Sequence, residues 1–179
     1  NDPTSAAKQV SLTELGSIKI NKEERTKMYK TIPRSSVIGF LIGVLPGAGA
    51  TIASFLAYGM ERNVVSDEEQ EKFGKGSVNG LSAPETANNA ACSGSFVPML
   101  TLGIPGSGTT AVMLGALLGF GVQPGPRLYM TNPEIFWSII MSMYIGMVIL
   151  LILNLPLIPY IARILAVPKN YLIPLILFF

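Results

Sequence analysis

The sequence predicts an all-α integral membrane protein whose helices are broken or re-entrant, and three observations predict it. Charged residues make up only 13% of the 179-residue chain, against about 25% in a typical soluble domain. The charges are also confined, with 11 in residues 1–34 and nine in residues 61–85. They leave uncharged runs at 35–60, 86–126 and 135–162, each long enough to cross or re-enter a hydrocarbon core about 30 Å thick. Finally, two of these runs carry the same helix-breaking Pro-Gly element.

Composition excludes several functions. The chain has no histidine, which removes Ser-His-Asp and Cys-His catalysis and histidine metal sites. The single cysteine, Cys92, allows no internal disulfide and no cysteine zinc cluster. Small neighbours and no activating base make it a small packing residue. A net charge of +2 does not argue for nucleic acid. The only aspartates, Asp2 and Asp67, lie in polar segments, so an aspartyl intramembrane protease lacks its acids. The chain does not read as an enzyme.

Residues 1–34 are polar and net basic, and Asn21 to Lys30 reads as a solvated helix or loop at the membrane surface. Residues 61–85 are a net acidic loop, and the segment around Arg163 and Lys169 is basic. Basic loops favour the cytoplasm, which places 1–34 and 163–170 inside and 61–85 in the periplasm. Residues 35–60 read as a broken helix or hairpin; if they and 135–162 each cross once, the run 86–126 makes an even number of crossings, as two thin spans or a re-entrant hairpin. Residues 135–158 are rich in large aliphatics, with Trp137 near one end, and read as a lipid-facing helix ended by Pro156 and Pro159. Residues 171–179 read as the start of a span cut off part way. The chain is therefore expected to be part of a longer polypeptide.

The runs 35–60 and 86–126 are rich in Gly, Ala, Ser and Thr, which suits close helix packing inside a bundle. In them Leu45-Pro46-Gly47-Ala48-Gly49-Ala50-Thr51 aligns with Ile104-Pro105-Gly106-Ser107-Gly108-Thr109-Thr110. Each element is expected to break a helix, because proline lacks a backbone donor and glycine permits open conformations. New helices should begin near Ala50 and Thr109. Their N-termini attract a carboxylate, while unwound carbonyls and the hydroxyls of Thr51, Ser107, Thr109 and Thr110 suit a cation such as Na⁺. Plain kinks without ligand contact are the alternative. Two soluble look-alikes fail: Ile52 replaces the third glycine of a dinucleotide loop, and Gly106-Ser-Gly-Thr-Thr lacks a phosphate-loop lysine.

Between the breaks, Ser82 and Glu85 have capping-box spacing and mark a helix start, with Pro84 in the first turn. Glu85 is also a candidate for binding the coupling ion at the membrane edge. The adjacent amides Asn88 and Asn89 need partners once buried, either on another helix or on a bound carboxylate and cation.

The strings GFLIGVLPGAGATIASFLAYGMER (39–62), FGKGSVNGLSAPETANNAACSGSFVPMLTLGIPGSGTTAVMLGALL (73–118) and GVQPGPRLY (121–129) resemble the large membrane subunit of the tripartite tricarboxylate transporters, the TctA family. The resemblance implies an inverted-repeat transporter fold in a bacterial inner membrane, with multiple crossings. It implies uptake of citrate-like tri- and dicarboxylates driven by an Na⁺ or H⁺ gradient, with no other cofactor. The implied partners are a small membrane subunit, a periplasmic solute-binding protein and the remainder of the polypeptide. It carries the binding role onto Pro46–Thr51, Pro105–Thr110, Asn88 and Asn89. A structural or assembly subunit without its own substrate site is the alternative.

Overall fold

In the computed structural model, which describes residues 20–162 and 177–178, the first helix starts on a capping box. Asn21 Oδ1 accepts from the Glu24 N–H at 2.8 Å, and the Glu24 carboxylate accepts from the Asn21 N–H at 2.9 Å. Two donors at the helix end are thereby satisfied. The helix, α1 (Lys22–Val44), runs through Pro33 and across the boundary expected at residue 34. A proline removes one backbone bond, and the ladder resumes beyond it. The polar stretch from Lys22 and the start of the first uncharged run are therefore one helix.

Seven more helices follow: α2 (Gly49–Val64), α3 (Asp67–Gln70), α4 (Val78–Gly94), α5 (Phe96–Leu102), α6 (Gly108–Gly119), α7 (Leu128–Thr131) and α8 (Pro133–Ala162). No strand occurs among the described residues. The start expected at Ser82 is corrected, because the N-cap of α4 is Ser77, five residues earlier, and the helix begins at Val78. Gly74 and Gly76 turn the chain with φ of +75° and +100°, and Ser77 Oγ then accepts from the Gly80 N–H at 3.1 Å. Ser82 and Glu85 show capping spacing only because residues three apart share a helix face.

The chain divides into two compact units, one of them Ile20–Ser138. Within it α1, α2 and α4 form a three-helix bundle whose contact faces repeat every fourth residue. On α1 the buried positions are Thr31, Ser35, Gly39 and Gly43; on α2, Ala53, Ala57 and Glu61; on α4, Asn79, Ala83, Ala87 and Ala91. Helices α1 and α4 run parallel in one register: Thr31 meets Asn79, Gly39 meets Ala87 and Gly43 meets Ala91. Helix α2 runs antiparallel between the same partners, with Ser54 Oγ donating to the Pro84 carbonyl at 3.1 Å. The centre of the bundle is Ala53, Ala57, Ala87 and Ala91. Small residues allow this approach, since backbones replace side chains at the contact.

This hairpin corrects the expected sidedness. Polar segments 20–34 and 61–85 lie at the same end of the bundle, joined by Lys27–Glu69 at 3.1 Å and Arg34–Glu61 at 3.0 Å. Residues 35–60 therefore turn back at Leu45–Ala48 rather than crossing once with the two polar segments on opposite faces. Glu69, nearly buried, also meets Lys72 at 3.3 Å and Ser77 Oγ at 3.3 Å. The Lys27 ammonium holds the Glu69 carboxyl below its ordinary value of 4.5, assisted by Lys72 and opposed by burial.

The second unit includes α8 from Ile139 onward. Pro133–Ile158 is the one helix among the described residues long and apolar enough to cross a membrane. At about 1.5 Å per residue its 26 residues extend about 39 Å. Its surface is almost wholly exposed, and Trp137 lies near its start. The helix does not end at Pro156 or Pro159 but continues to Ala162, which apolar helices tolerate because only the proline's own donor is missing. Residues 1–19, the basic segment at Arg163 and Lys169, and the span start at 171–179 (save Leu177 and Phe178) lie outside the described residues.

Two outcomes follow from the packing and the ion pairs. A Cβ at Gly39 or Gly43 would sit 2.3 Å from the facing carbonyl oxygen of Ala87 or Ala91. Gly39→Ala and Gly43→Ala should each destabilise the fold by about 1–3 kcal/mol. Gly59→Ala, where nothing lies within 4 Å, should be neutral or stabilising by up to about 1 kcal/mol; thermal unfolding of the detergent-purified protein ranks the three. Folding lowers the Glu69 pKa, so its contribution is present above 4.5 and lost as pH falls through the lower folded value. Glu69→Gln should therefore flatten the decline of melting temperature below about pH 5.

Candidate functional site

The first Pro-Gly element ends α1 and the second follows α5, and the structure brings the second against the end of α1. Helix α1 stops at Val44, and its C-cap Leu45 donates its N–H to the Ile42 carbonyl at 3.1 Å. Gly47 and Gly49 then take φ of +82° and +69°, a region that side chains rarely enter, and α2 starts at Gly49. Its N-cap, Ala48, offers no side-chain acceptor, so the first donors of α2 at Gly49, Ala50 and Thr51 lack a side-chain cap. Pro46, Gly47 and Thr51 are exposed.

The second element is built differently from the first. Gly103, at φ +71°, caps α5 ahead of the motif, and neither Gly106 nor Gly108 has positive φ. The break at Ile104–Ser107 leads into α6 through a capping box between Ser107 and Thr110. Ser107 Oγ accepts from the Thr110 N–H at 3.2 Å, and Thr110 Oγ1 accepts from the Ser107 N–H at 2.8 Å. Two of the four hydroxyls expected as cation ligands, those of Ser107 and Thr110, are thus engaged in the cap, and Thr110 is buried. Thr109 and Gly108 remain exposed at the helix start. Matched sequence here does not mean matched backbone.

Gly106 is the meeting point. A Cβ there would lie 3.0 Å from Ser95 Cβ and 3.3 Å from the Gly43 carbonyl oxygen, so the second break rests on the end of α1. A third segment closes on the same place. Gly103 faces the Pro124 carbonyl, whose oxygen would be 2.8 Å from a Cβ, and the Gly125 N–H donates to the Leu100 carbonyl at 3.2 Å. The 121–127 loop borders an open cleft of about 450 Å³ that Gln123, Arg127, Thr131 and Asn132 line. Arg127 is the one cation between Lys75 and Arg163 and forms no ion pair among the described residues. The breaks themselves lie in uncharged runs, and this cleft places a guanidinium two residues beyond Gly125.

The Glu-Asn-Asn segment lies on the exposed side of α4. Glu85, Asn88 and Asn89 are exposed, opposite the alanines that face α1 and α2. Asn89 Nδ2 donates to the Glu85 carbonyl at 2.9 Å, and Asn88 Oδ1 accepts a long 3.9 Å contact from Cys92 Sγ. Neither amide reaches another helix among the described residues. Cys92 is exposed rather than packed, because it falls one residue past Ala91 on the turn. Ala91 is level with Gly43, so Asn88 sits about 4.5 Å back along the axis from the breaks.

One cluster was not read from the sequence at all. Glu61, at 0% exposure, accepts at Oε1 from Thr31 Oγ1 at 2.8 Å, Arg34 Nη2 at 3.0 Å and Asn79 Nδ2 at 3.2 Å. Asn79 Nδ2 also donates to Thr31 Oγ1 at 2.8 Å. The available signal was the four-residue spacing that carries Ala53 and Ala57 on to Glu61. Among the described residues no three of His, Cys, Asp and Glu gather as metal ligands.

A family model described as the tripartite tricarboxylate transporter TctA family matches residues 1–179. An uncharacterized 52.8 kDa protein in the TAR-I ttuC' 3' region of Agrobacterium vitis is 40% identical over 172 residues, covering 96% of this chain and 34% of that protein. An uncharacterized protein in the TAR-II ttuC' 3' region of Agrobacterium vitis is 45% identical over 141 residues, covering 79% of this chain and 57% of the relative. The chain thus spans about a third of the first relative and little more than half of the second. No solved structure matches it. With the match running across every residue, including both breaks and the Gly121–Tyr129 loop, the chain belongs to the tripartite tricarboxylate transporter TctA family.

Proposed function

We propose that the chain is part of the membrane subunit of a secondary active transporter that takes up citrate-like tri- and dicarboxylates. The observation that carries the reading is family membership over residues 1–179. A cation gradient, of Na⁺ or H⁺, drives uptake; a periplasmic solute-binding protein delivers the substrate, and a small membrane subunit completes the assembly. The subunit transports rather than catalyses. Its membrane is the bacterial inner membrane, crossed several times by an inverted-repeat fold to which the remainder of the polypeptide contributes.

Geometry supports a site where the breaks meet. Helices α5 and α6, of seven and 12 residues, extend about 10 and 18 Å. Each is shorter than the hydrocarbon core, as expected of a re-entrant pair. Irregular backbone at that depth is tolerated where protein or a wet cavity surrounds it. A substrate carboxylate there meets the uncapped start of α2, the start of α6 at Gly108 and Thr109, and Arg127. Helix N-termini attract anions, and a guanidinium adds a charge-assisted fork. Asn88 and Asn89, exposed on α4, offer amide donors.

Labelled-citrate uptake into proteoliposomes, with the complete polypeptide, its small subunit and the binding protein, tests this reading. Asn88→Ala should lower uptake at least about tenfold while stability changes by no more than about 0.5 kcal/mol, as for other exposed positions. Arg127→Gln should raise the KM about tenfold or more, the loss expected for a charged hydrogen bond. Normal uptake in both variants would remove the site assignment.

A further inference from the structure

The buried cluster at the polar end of the bundle is half satisfied. Glu61 Oε1 accepts three hydrogen bonds, yet Glu61 Oε2 has no partner. Asn79 Oδ1, Ser35 Oγ and Ser82 Oγ are also buried without partners. These residues are 0%, 5%, 0% and 9% exposed for Glu61, Asn79, Ser35 and Ser82. They belong together: Ser35 lies one turn beyond Thr31 on α1, Ser82 one turn beyond Asn79 on α4, and Thr31 and Asn79 both bond Glu61 Oε1. Buried oxygens left unbonded are costly, and native structures rarely keep several in one place without a ligand or water.

We propose that Glu61 Oε2, Asn79 Oδ1, Ser35 Oγ and Ser82 Oγ bind a hard monovalent cation of the Na⁺ class, which takes the place of Arg34 on the Glu61 carboxylate. The donor set is oxygen only, which selects hard cations over transition metals. It holds one formal negative charge, which balances one positive charge and is too little for a divalent ion. That charge is now balanced by Arg34, whose grip is partial. Only Nη2 reaches the carboxylate, Nε is buried without a partner, and the side chain is 32% exposed. An arginine at the rim can swing its head into water while its stem stays packed. Exchange of guanidinium for cation keeps the buried charge neutral in both states, and so avoids the cost of an unpaired buried carboxylate. The cation site is then separate from the Pro-Gly breaks, toward the opposite end of the bundle. Its role as the coupling ion rests on the transport reading above; binding itself does not.

The test is the melting temperature of the complete polypeptide in NaCl against choline chloride at equal ionic strength, with ²²Na⁺ binding measured in parallel. Wild type should melt higher in Na⁺, as any ligand that binds only the folded state requires. Ser82→Ala and Ser35→Ala each remove an unbonded hydroxyl, so in choline they should melt no lower than wild type. In Na⁺ they should lose most of the rise and bind ²²Na⁺ about tenfold more weakly, as loss of one ligand implies. Arg34→Gln removes the competitor and should bind ²²Na⁺ more tightly than wild type. Equal melting of wild type in Na⁺ and choline, or a full Na⁺ response in both serine variants, overturns the site. Na⁺-driven citrate uptake that is unchanged in Ser82→Ala and Arg34→Gln overturns the role as coupling ion and leaves the transport reading standing. Loss of the Na⁺ response in the serine variants, with no carboxylate uptake by wild type, supports the site and overturns the transport reading.

Discussion

The backbones of α1 and α4 touch, and everything else in the Ile20–Ser138 unit is placed by that contact. Where Gly39 faces Ala87 and Gly43 faces Ala91, there is no room for a side chain on α1. Two parallel helices so close must share a register along their whole common length. The same four-residue repeat that sets glycine against alanine in the middle sets Thr31 against Asn79 at one end. At the other end it presents the Gly43 carbonyl to Gly106. A bilayer interior offers little hydrophobic drive between helices, so packing of this kind is what remains to hold them.

Polar chemistry is accordingly pushed to the ends and outer faces of the bundle. At one end Glu61, Thr31, Asn79 and Arg34 make a network around a fully buried carboxylate, with the Lys27–Glu69–Lys72 group beside it. At the other end are the helix breaks and the loop that carries Arg127. The outer face of α4 presents Glu85, Asn88 and Asn89. The chain spans only part of the length of its relatives.

Local chemistry was legible in the sequence, and pairing was not. Proline and glycine act on their own backbone, so the breaks at Pro46 and Pro105 could be read directly, as could the long apolar helix over 135–158. Register is a property of two segments. A string of Gly, Ala and Ser tells that helices approach closely, but not that residue 31 will meet residue 79. For that reason Glu61 read as loop charge when it is the most enclosed acid of the unit. Ser82 and Glu85 misled for the converse reason, because a spacing of three recurs on any helix face, while Ser77 with Gly76 before it supplied the actual start. The assignment of polar segments to opposite sides failed because charge counting assumes one crossing per run, and Gly47 and Gly49 let the run reverse.

From Thr31 to Gly43, α1 is an unbroken helix despite Pro33, about 18 Å of rod between the carboxylate cluster and the breaks. Each residue of that rod advances its face by about 100°. One residue added or deleted between Ser35 and Gly39 would leave composition, hydropathy and both motifs intact. It would nevertheless turn Gly39 and Gly43 away from α4 while Thr31 still faced Asn79. The two ends of the bundle are therefore held in angular phase, and the spacing of four between successive contacts is a quantity the fold cannot vary independently of its sequence motifs.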